Sequence, residues 1–168
     1  PPYLPDTPTI RDDLTRFHQD ILEMDTAIGT VLCELRNSDV GENTLVIFST
    51  DNGCSKAAGI PKLQKQGHFP SAHLRGSKAD IWDGGHRVPF IVRWPGKVKP
   101  GSQSAQLICH TDFMATCADI LGAKLPDNAA EDSFSILPAL LGTDKAPLHE
   151  TVVHHSINGS FAIRQGKW

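Results

Sequence analysis

The run Thr44-Leu45-Val46-Ile47-Phe48-Ser49-Thr50-Asp51-Asn52-Gly53 constrains this chain more than any other stretch. Its apolar part is rich in β-branched and aromatic side chains and predicts a strand buried on both faces. It then breaks into two hydroxyl residues, a carboxylate, a carboxamide and a glycine. Ligands of open α/β sheets collect at the carboxyl ends of the strands. Asp51 and Asn52 at such an end offer adjacent hard oxygens, the kind that Ca²⁺ or Mg²⁺ takes. Asn-Gly after an apolar run is equally a turn signal, because both residues tolerate positive φ. The decapeptide alone leaves the two readings open.

What precedes the run is helical. After an irregular lead-in with four prolines over residues 1–8, Thr7-Pro8 reads as a helix start, Thr as cap and Pro at the first helical position. Leu14, Phe17, Ile21, Met24, Ile28, Val31 and Leu35 then recur at steps of three and four, an amphipathic stripe expected to pack on something flat. Gly29 would let that helix approach a sheet closely, while His18 and Asp25 fall beside the stripe as solvated residues. Asn37 to Glu42 ends the helix. A helix leading directly into a buried strand is half of a βαβ unit.

After the run, Cys54 to Ser77 is poor in apolar residues and long for a compact connection, as functional loops often are. It carries His68 and His73, followed by Lys78 and His86. Zinc on His68, His73 and His86 would need spacings and a further ligand that the sequence does not offer. Lys78, on a loop expected near the strand end, is a compact positive charge suited to holding an oxyanion beside a cation; it is also what a solvated loop lysine looks like. Gly84-Gly85 suits a tight turn or close backbone approach. Arg87 is read as structural, with Asp83 as a candidate partner. Phe90 to Trp94 forms a second short apolar strand closed by Pro95-Gly96.

Farther on, Gln106 to Cys109 reads as a brief strand. His110-Thr111-Asp112 caps a helix ending at Gly122, and Phe134 to Leu141 is a short apolar turn or helix ending at Gly142. Thr151 to His155 and Ser160 to Arg164 form a hairpin, on which His154 and His155 face opposite sides. Asn158-Gly159-Ser160 fits a glycosylation acceptor. Cys33, Cys54, Cys109 and Cys117 show no paired framework, and Cys33 and Cys117 are expected as buried free thiols.

Taken together, STDNG, RGSKADIWDGGHRVPFIVRWPG, HTDFMATCADILG, SILPALLG and FAIRQGKW resemble, in order, blocks of the sulfatase family of the alkaline-phosphatase superfamily. The resemblance implies an α/β fold: an alkaline-phosphatase-like sheet with flanking helices, present in part over residues 1–122. Residues 123–168 would form a linker and the start of a small antiparallel C-terminal subdomain. It further implies that Asp51 and Asn52 are oxygen ligands of an active-site Ca²⁺, with Mg²⁺ as the alternative. Lys78 would be the catalytic lysine contacting the substrate sulfate near its leaving oxygen, and His68 a further substrate contact. Family members act through a formylglycine made in a C/S-x-P/A-x-R motif. No cysteine here fits that motif, so the chain is expected to be a piece of a longer protein, cut at both ends. The nucleophile would lie upstream, and the piece alone would be inactive.

The implied partner is a sulfate ester, with sulfated carbohydrate as one class. A phosphate- or phosphonate-ester hydrolase of the same superfamily and a non-catalytic carbohydrate-binding relative stand as alternatives. The 168 residues carry a formal net charge of −3, which argues against a nucleic-acid footprint. No apolar stretch reaches membrane-spanning length.

Overall fold

The computed structural model describes residues 4–168; residues 1–3, the first part of the expected lead-in, lie outside it. Helix α1 (Pro8–Arg36) starts as its sequence predicts. Thr7 is the cap, its Oγ1 accepting the Ile10 amide at 3.3 Å, and Pro8 sits where its missing N–H costs nothing. The apolar stripe is present but uncovered: Phe17 is 58% exposed, Val31 66%, and no residue of α1 is buried. A Cβ added at Gly29 would meet nothing within 4 Å, so no strand of the described residues approaches the helix there. The expected flat partner of α1 is absent among the described residues.

Strand β1 (Val46–Ser49) pairs antiparallel with β2 (Phe90–Arg93), with Val46 opposite Arg93 and Ser49 opposite Phe90. The helix-then-strand order is as expected, but the strand expected to be buried on both faces is not so among the described residues. A two-stranded ribbon gives β1 a single neighbour, and Phe48 remains 40% exposed. Behind the pair, the Arg93 guanidinium reaches the Gly41 carbonyl at 3.4 Å. Gly41 itself lies so close to the Leu35 carbonyl that a Cβ would collide with it, which fixes how α1 turns into β1.

The connection expected to be irregular from Cys54 to Ser77 holds helical structure. A 3₁₀ turn spans Lys56–Ala58, capped by the Ser55 hydroxyl, and left-handed Gly59 separates it from α2 (Ile60–Lys65). Pro61 in the first turn of α2 follows the same logic as Pro8. Helix α3 (Asp83–His86) is a single turn built on Gly84-Gly85.

The buried part of the chain lies farther on. Helix α4 (Phe113–Leu121) follows a 3₁₀ turn at His110–Asp112 and ends at left-handed Gly122. Helix α5 (Leu137–Leu141) ends the same way at Gly142. Between them Ile136 is 1% exposed and Asp112 fully buried. The Asp112 carboxylate accepts the Cys109 amide at 2.7 Å, the Phe134 amide at 3.1 Å and the buried His149 ring at 2.9 Å. Thr116 completes the knot, donating to the Asp112 carbonyl and accepting the Ile136 amide at 3.0 Å.

Gln106 to Cys109 is not a strand. The Gln106 side chain instead grips the 144–148 loop, donating to the Asp144 carboxylate and the Ala146 carbonyl and accepting the Leu148 amide. Strands β3 (Val152–His155) and β4 (Phe161–Arg164) form the expected antiparallel hairpin, turned at Asn158-Gly159. Cys33 and Cys117 are exposed rather than buried, and all four cysteines are free. No described helix is long and apolar enough to cross a membrane.

Candidate active site

Asp51 and Asn52 sit in the bend after β1, and the segment carrying Lys78 crosses the residues that follow them, Gly53 and Cys54, backbone to backbone. Two hydrogen bonds make the crossing: the Lys78 amide to the Cys54 carbonyl at 2.8 Å, and the Gly53 amide to the Gly85 carbonyl at 3.1 Å. Three glycines permit it. A Cβ on Gly53 would overlap the Gly84 carbonyl, one on Gly84 the Gly76 carbonyl, and one on Gly85 would come within 2.5 Å of the Ser77 carbonyl. The close approach expected of Gly84-Gly85 is therefore real, and its purpose is to lay residues 76–85 against residues 53–54.

The polar side chains here keep spare valence. Asn52 donates from Nδ2 to the Gly53 carbonyl at 3.0 Å, and its Oδ1 accepts from no donor among the described residues. Asp51 is exposed, and its one side-chain hydrogen bond among the described residues is a long contact from the Thr50 hydroxyl at 3.4 Å. Lys78 is exposed, and none of the ion pairs among the described residues uses its ammonium. An amide oxygen and a neighbouring carboxylate with open lone pairs suit a hard divalent cation, which takes six to eight oxygens in the case of Ca²⁺. Two such residues would supply only part of such a shell. Among the described residues no three His, Cys, Asp or Glu side chains gather around one point.

The turn after Lys78 is locked by a residue that the sequence reading passed over. Asp80 reaches back to accept the Ser77 amide at 3.0 Å and the Ser77 hydroxyl at 3.2 Å, and it takes the Lys56 ammonium at 2.7 Å. The Lys56 ammonium, with the Ser77 donors behind it, holds the Asp80 carboxyl below its usual range. The signal was present: Ser-x-x-Asp is one arm of a capping box, in which an acid returns to the amide three residues earlier. Ala79, between Lys78 and Asp80, has φ +74°, a left-handed conformation that costs a residue with a Cβ about 1–2 kcal/mol.

The histidines do not converge. His68 is half-buried after α2, its amide donating to the Leu63 carbonyl at 3.0 Å, and His73 is exposed in the next turn. His86 packs on His154, ring centroids 4.3 Å apart. Asp83 pairs with Arg164, not with Arg87 as the sequence suggested. Arg164 Nη1 lies 2.9 and 3.0 Å from the two carboxylate oxygens. Arg87, four residues along, donates its own amide to the Asp83 carbonyl instead.

One arrangement resembles a nucleophile and its base. Ser49 Oγ lies 2.9 Å from His110 Nε2, but the Ser49 hydroxyl donates to the Pro89 carbonyl at 2.8 Å. With its single hydrogen spent there, Ser49 accepts from the ring, the reverse of what a general base requires. The pair ties the end of β1 to the start of α4.

Comparison with known proteins identifies these surroundings. A family model described as Sulfatase matches residues 2–123. The N-acetylgalactosamine-6-O-sulfatase of Bacteroides thetaiotaomicron is 38% identical over 151 residues, covering 88% of this chain and 29% of the relative. Human arylsulfatase A is 35% identical over 157 residues, covering 90% of this chain and 29% of its own length. A solved Bacteroides thetaiotaomicron structure, described with the metabolism of multiple glycosaminoglycans, superposes with a TM-score of 0.73 at 37% identity. That match covers 88% of this chain and 31% of the solved one. The chain thus spans under a third of the length of these proteins.

Proposed function

This chain belongs to the sulfatase family, and on that premise we propose that it forms one wall of a sulfuric ester hydrolase site. The nucleophile of that site, a formylglycine, comes from residues outside this chain. Asp51 and Asn52 contribute carboxylate and amide oxygens to a Ca²⁺ shell, with Mg²⁺ as the alternative occupant. A divalent ion there would act as Lewis acid and template for the sulfuryl oxygens. Lys78 presents its ammonium to the sulfate on the leaving-group side, where negative charge grows as the S–O bond breaks. Its benefit is therefore larger in the transition state than in the bound substrate. Sulfated carbohydrate is the substrate class favoured by the N-acetylgalactosamine-6-O-sulfatase at 38% identity.

The observation that carries this reading is the crossing at Gly53, Gly84 and Gly85. It brings the Lys78 segment against the Asp51-Asn52 bend while all three side chains keep unused donors or acceptors. The test is turnover by the full-length protein of an aryl sulfate, a 6-O-sulfated N-acetylgalactosamine and an aryl phosphate. Lys78→Ala should lower kcat on the sulfate esters by about 10²–10³-fold, the usual loss of one preorganised donor. The isolated 168-residue chain should show no turnover. Preference for the aryl phosphate would replace sulfate with phosphate chemistry. Ca²⁺ binding without turnover of any ester would favour a non-catalytic binding protein.

A further inference from the structure

The C-terminal hairpin touches the segment that carries Lys78 at four points. The Ile157 amide, at the hairpin turn, donates to the Ala79 carbonyl at 3.1 Å. The His154 ring bonds through Nε2 to the Ile81 carbonyl at 2.8 Å, and a carbonyl can only accept, so the nitrogen donates. Arg164 bridges both oxygens of Asp83, and the His86 and His154 rings lie together. These contacts fall on residues 79, 81, 83 and 86, immediately after Lys78. They link positions 73 to 81 residues apart in the pairs formed by His154 and Arg164.

Ala79 shows why such support is needed. A left-handed residue with a Cβ persists only where its surroundings over-determine it. On its inner side Asp80 holds Ser77 and the Lys78 amide holds the Cys54 carbonyl. Its own carbonyl is held by the hairpin alone among the described residues. If that contact is lost, Ala79 is free to relax to negative φ, and the direction of the adjoining Lys78 side chain changes with it.

We propose that Arg164 and His154 are positioning residues for Lys78: the β3–β4 hairpin clamps the 79–86 turn and so sets where the Lys78 ammonium points. Neither residue touches substrate. The proposal rests on the sulfatase reading of Lys78, and it adds a dependence of that lysine on a part of the chain far from it in sequence. Because a single guanidinium nitrogen serves both Asp83 oxygens, a lysine ammonium is able to replace it.

The experiment compares wild type, Arg164→Gln, Arg164→Lys and Lys78→Ala in the full-length enzyme. It reads kcat and KM on an aryl sulfate, the melting temperature, and amide exchange by mass spectrometry over residues 76–87. Arg164→Gln should lower kcat at least tenfold with KM within about twofold, because the lost interaction belongs to the transition state. It should also speed exchange in the 76–87 segment, and Arg164→Lys should restore both. If Arg164→Gln keeps the wild-type kcat while Lys78→Ala lowers it, the positioning role is wrong and the site stands. If Lys78→Ala turns over like wild type, the reading of the site fails and the positioning role with it. A fall in kcat that merely follows a lost melting transition in Arg164→Gln, and that Arg164→Lys does not repair, also overturns the proposal.

Discussion

Two regions of this chain place a carboxylate beside a chain crossing, and they use it in opposite ways. At the knot between α4 and α5, Asp112 is fully buried and its oxygens are taken up by two amides and the His149 ring. At the glycine crossing, Asp51 lies exposed with one long hydrogen bond, beside an Asn52 oxygen that has no donor among the described residues. The first arrangement satisfies every polar group internally, which is what a low-dielectric interior demands. The second satisfies only its backbone and leaves its side chains chemically unfinished. Exposed groups of this kind are solvated by water, which a ligand is able to replace, so the contrast sets the structural aspartate apart from the proposed cation ligand.

The sharpest way to break the comparison is to remove each carboxylate. Asp112→Ala leaves the Cys109 and Phe134 amides and the His149 ring without an acceptor, and should destabilise the full-length protein by about 3–5 kcal/mol in denaturant unfolding. Asp51→Ala should leave unfolding nearly unchanged and weaken Ca²⁺ binding in titration calorimetry. If the two variants lose equal stability, the distinction drawn here fails.

A smaller effect is expected from the crossing itself. The Cβ of Gly84→Ala would strike the Gly76 carbonyl and come within 2.7 Å of the Arg75 carbonyl. Backbone cannot swing aside as a side chain can, so the cost should reach the upper end of about 1–3 kcal/mol. Turnover should suffer more than stability, because the displaced segment bears Lys78. Full activity in a protein destabilised to that extent would detach the crossing from the site.

The smallest expected effect concerns pH. Burial, and then the facing His154, hold the His86 imidazole below its ordinary value of 6.5; the Asp80 carbonyl and the Asp83 and Asp80 carboxylates oppose this, and Arg164 sits on Asp83. A depressed folded value means that the docked hairpin binds fewer protons at His86 than the undocked one. Docking is therefore unpenalised above 6.5 and weakens as the pH falls below it. The protection of the Ile157 amide, corrected for intrinsic exchange, should drop by at most about tenfold on acidification. His86→Gln should flatten that decline, and an unchanged decline would put its origin elsewhere.

Where sequence reasoning succeeded, the physics was short-range. Thr7-Pro8, Gly122, Gly142 and the turn at Asn158-Gly159 act within four residues, and each ends or starts an element where expected. It erred where a partner lies far along the chain. Asp83 was matched to nearby Arg87, whereas its ion pair is with Arg164, 81 residues on. Gln106 to Cys109 has the composition of a strand, yet Gln106 finds its partners 38 to 42 residues away in a loop.

The order of the chemically distinctive residues, the helix caps and the glycines that tolerate close approach were all settled by sequence, because each depends on local backbone preference or on the absence of a Cβ. Only the tertiary structure decided that β1 runs antiparallel to β2 and that Gly53 meets Gly84 and Gly85. The docking of β3–β4 behind Lys78 was likewise decided there. Those outcomes turn on which distant groups can share a hydrogen bond or a van der Waals surface at once, a competition that no local preference encodes.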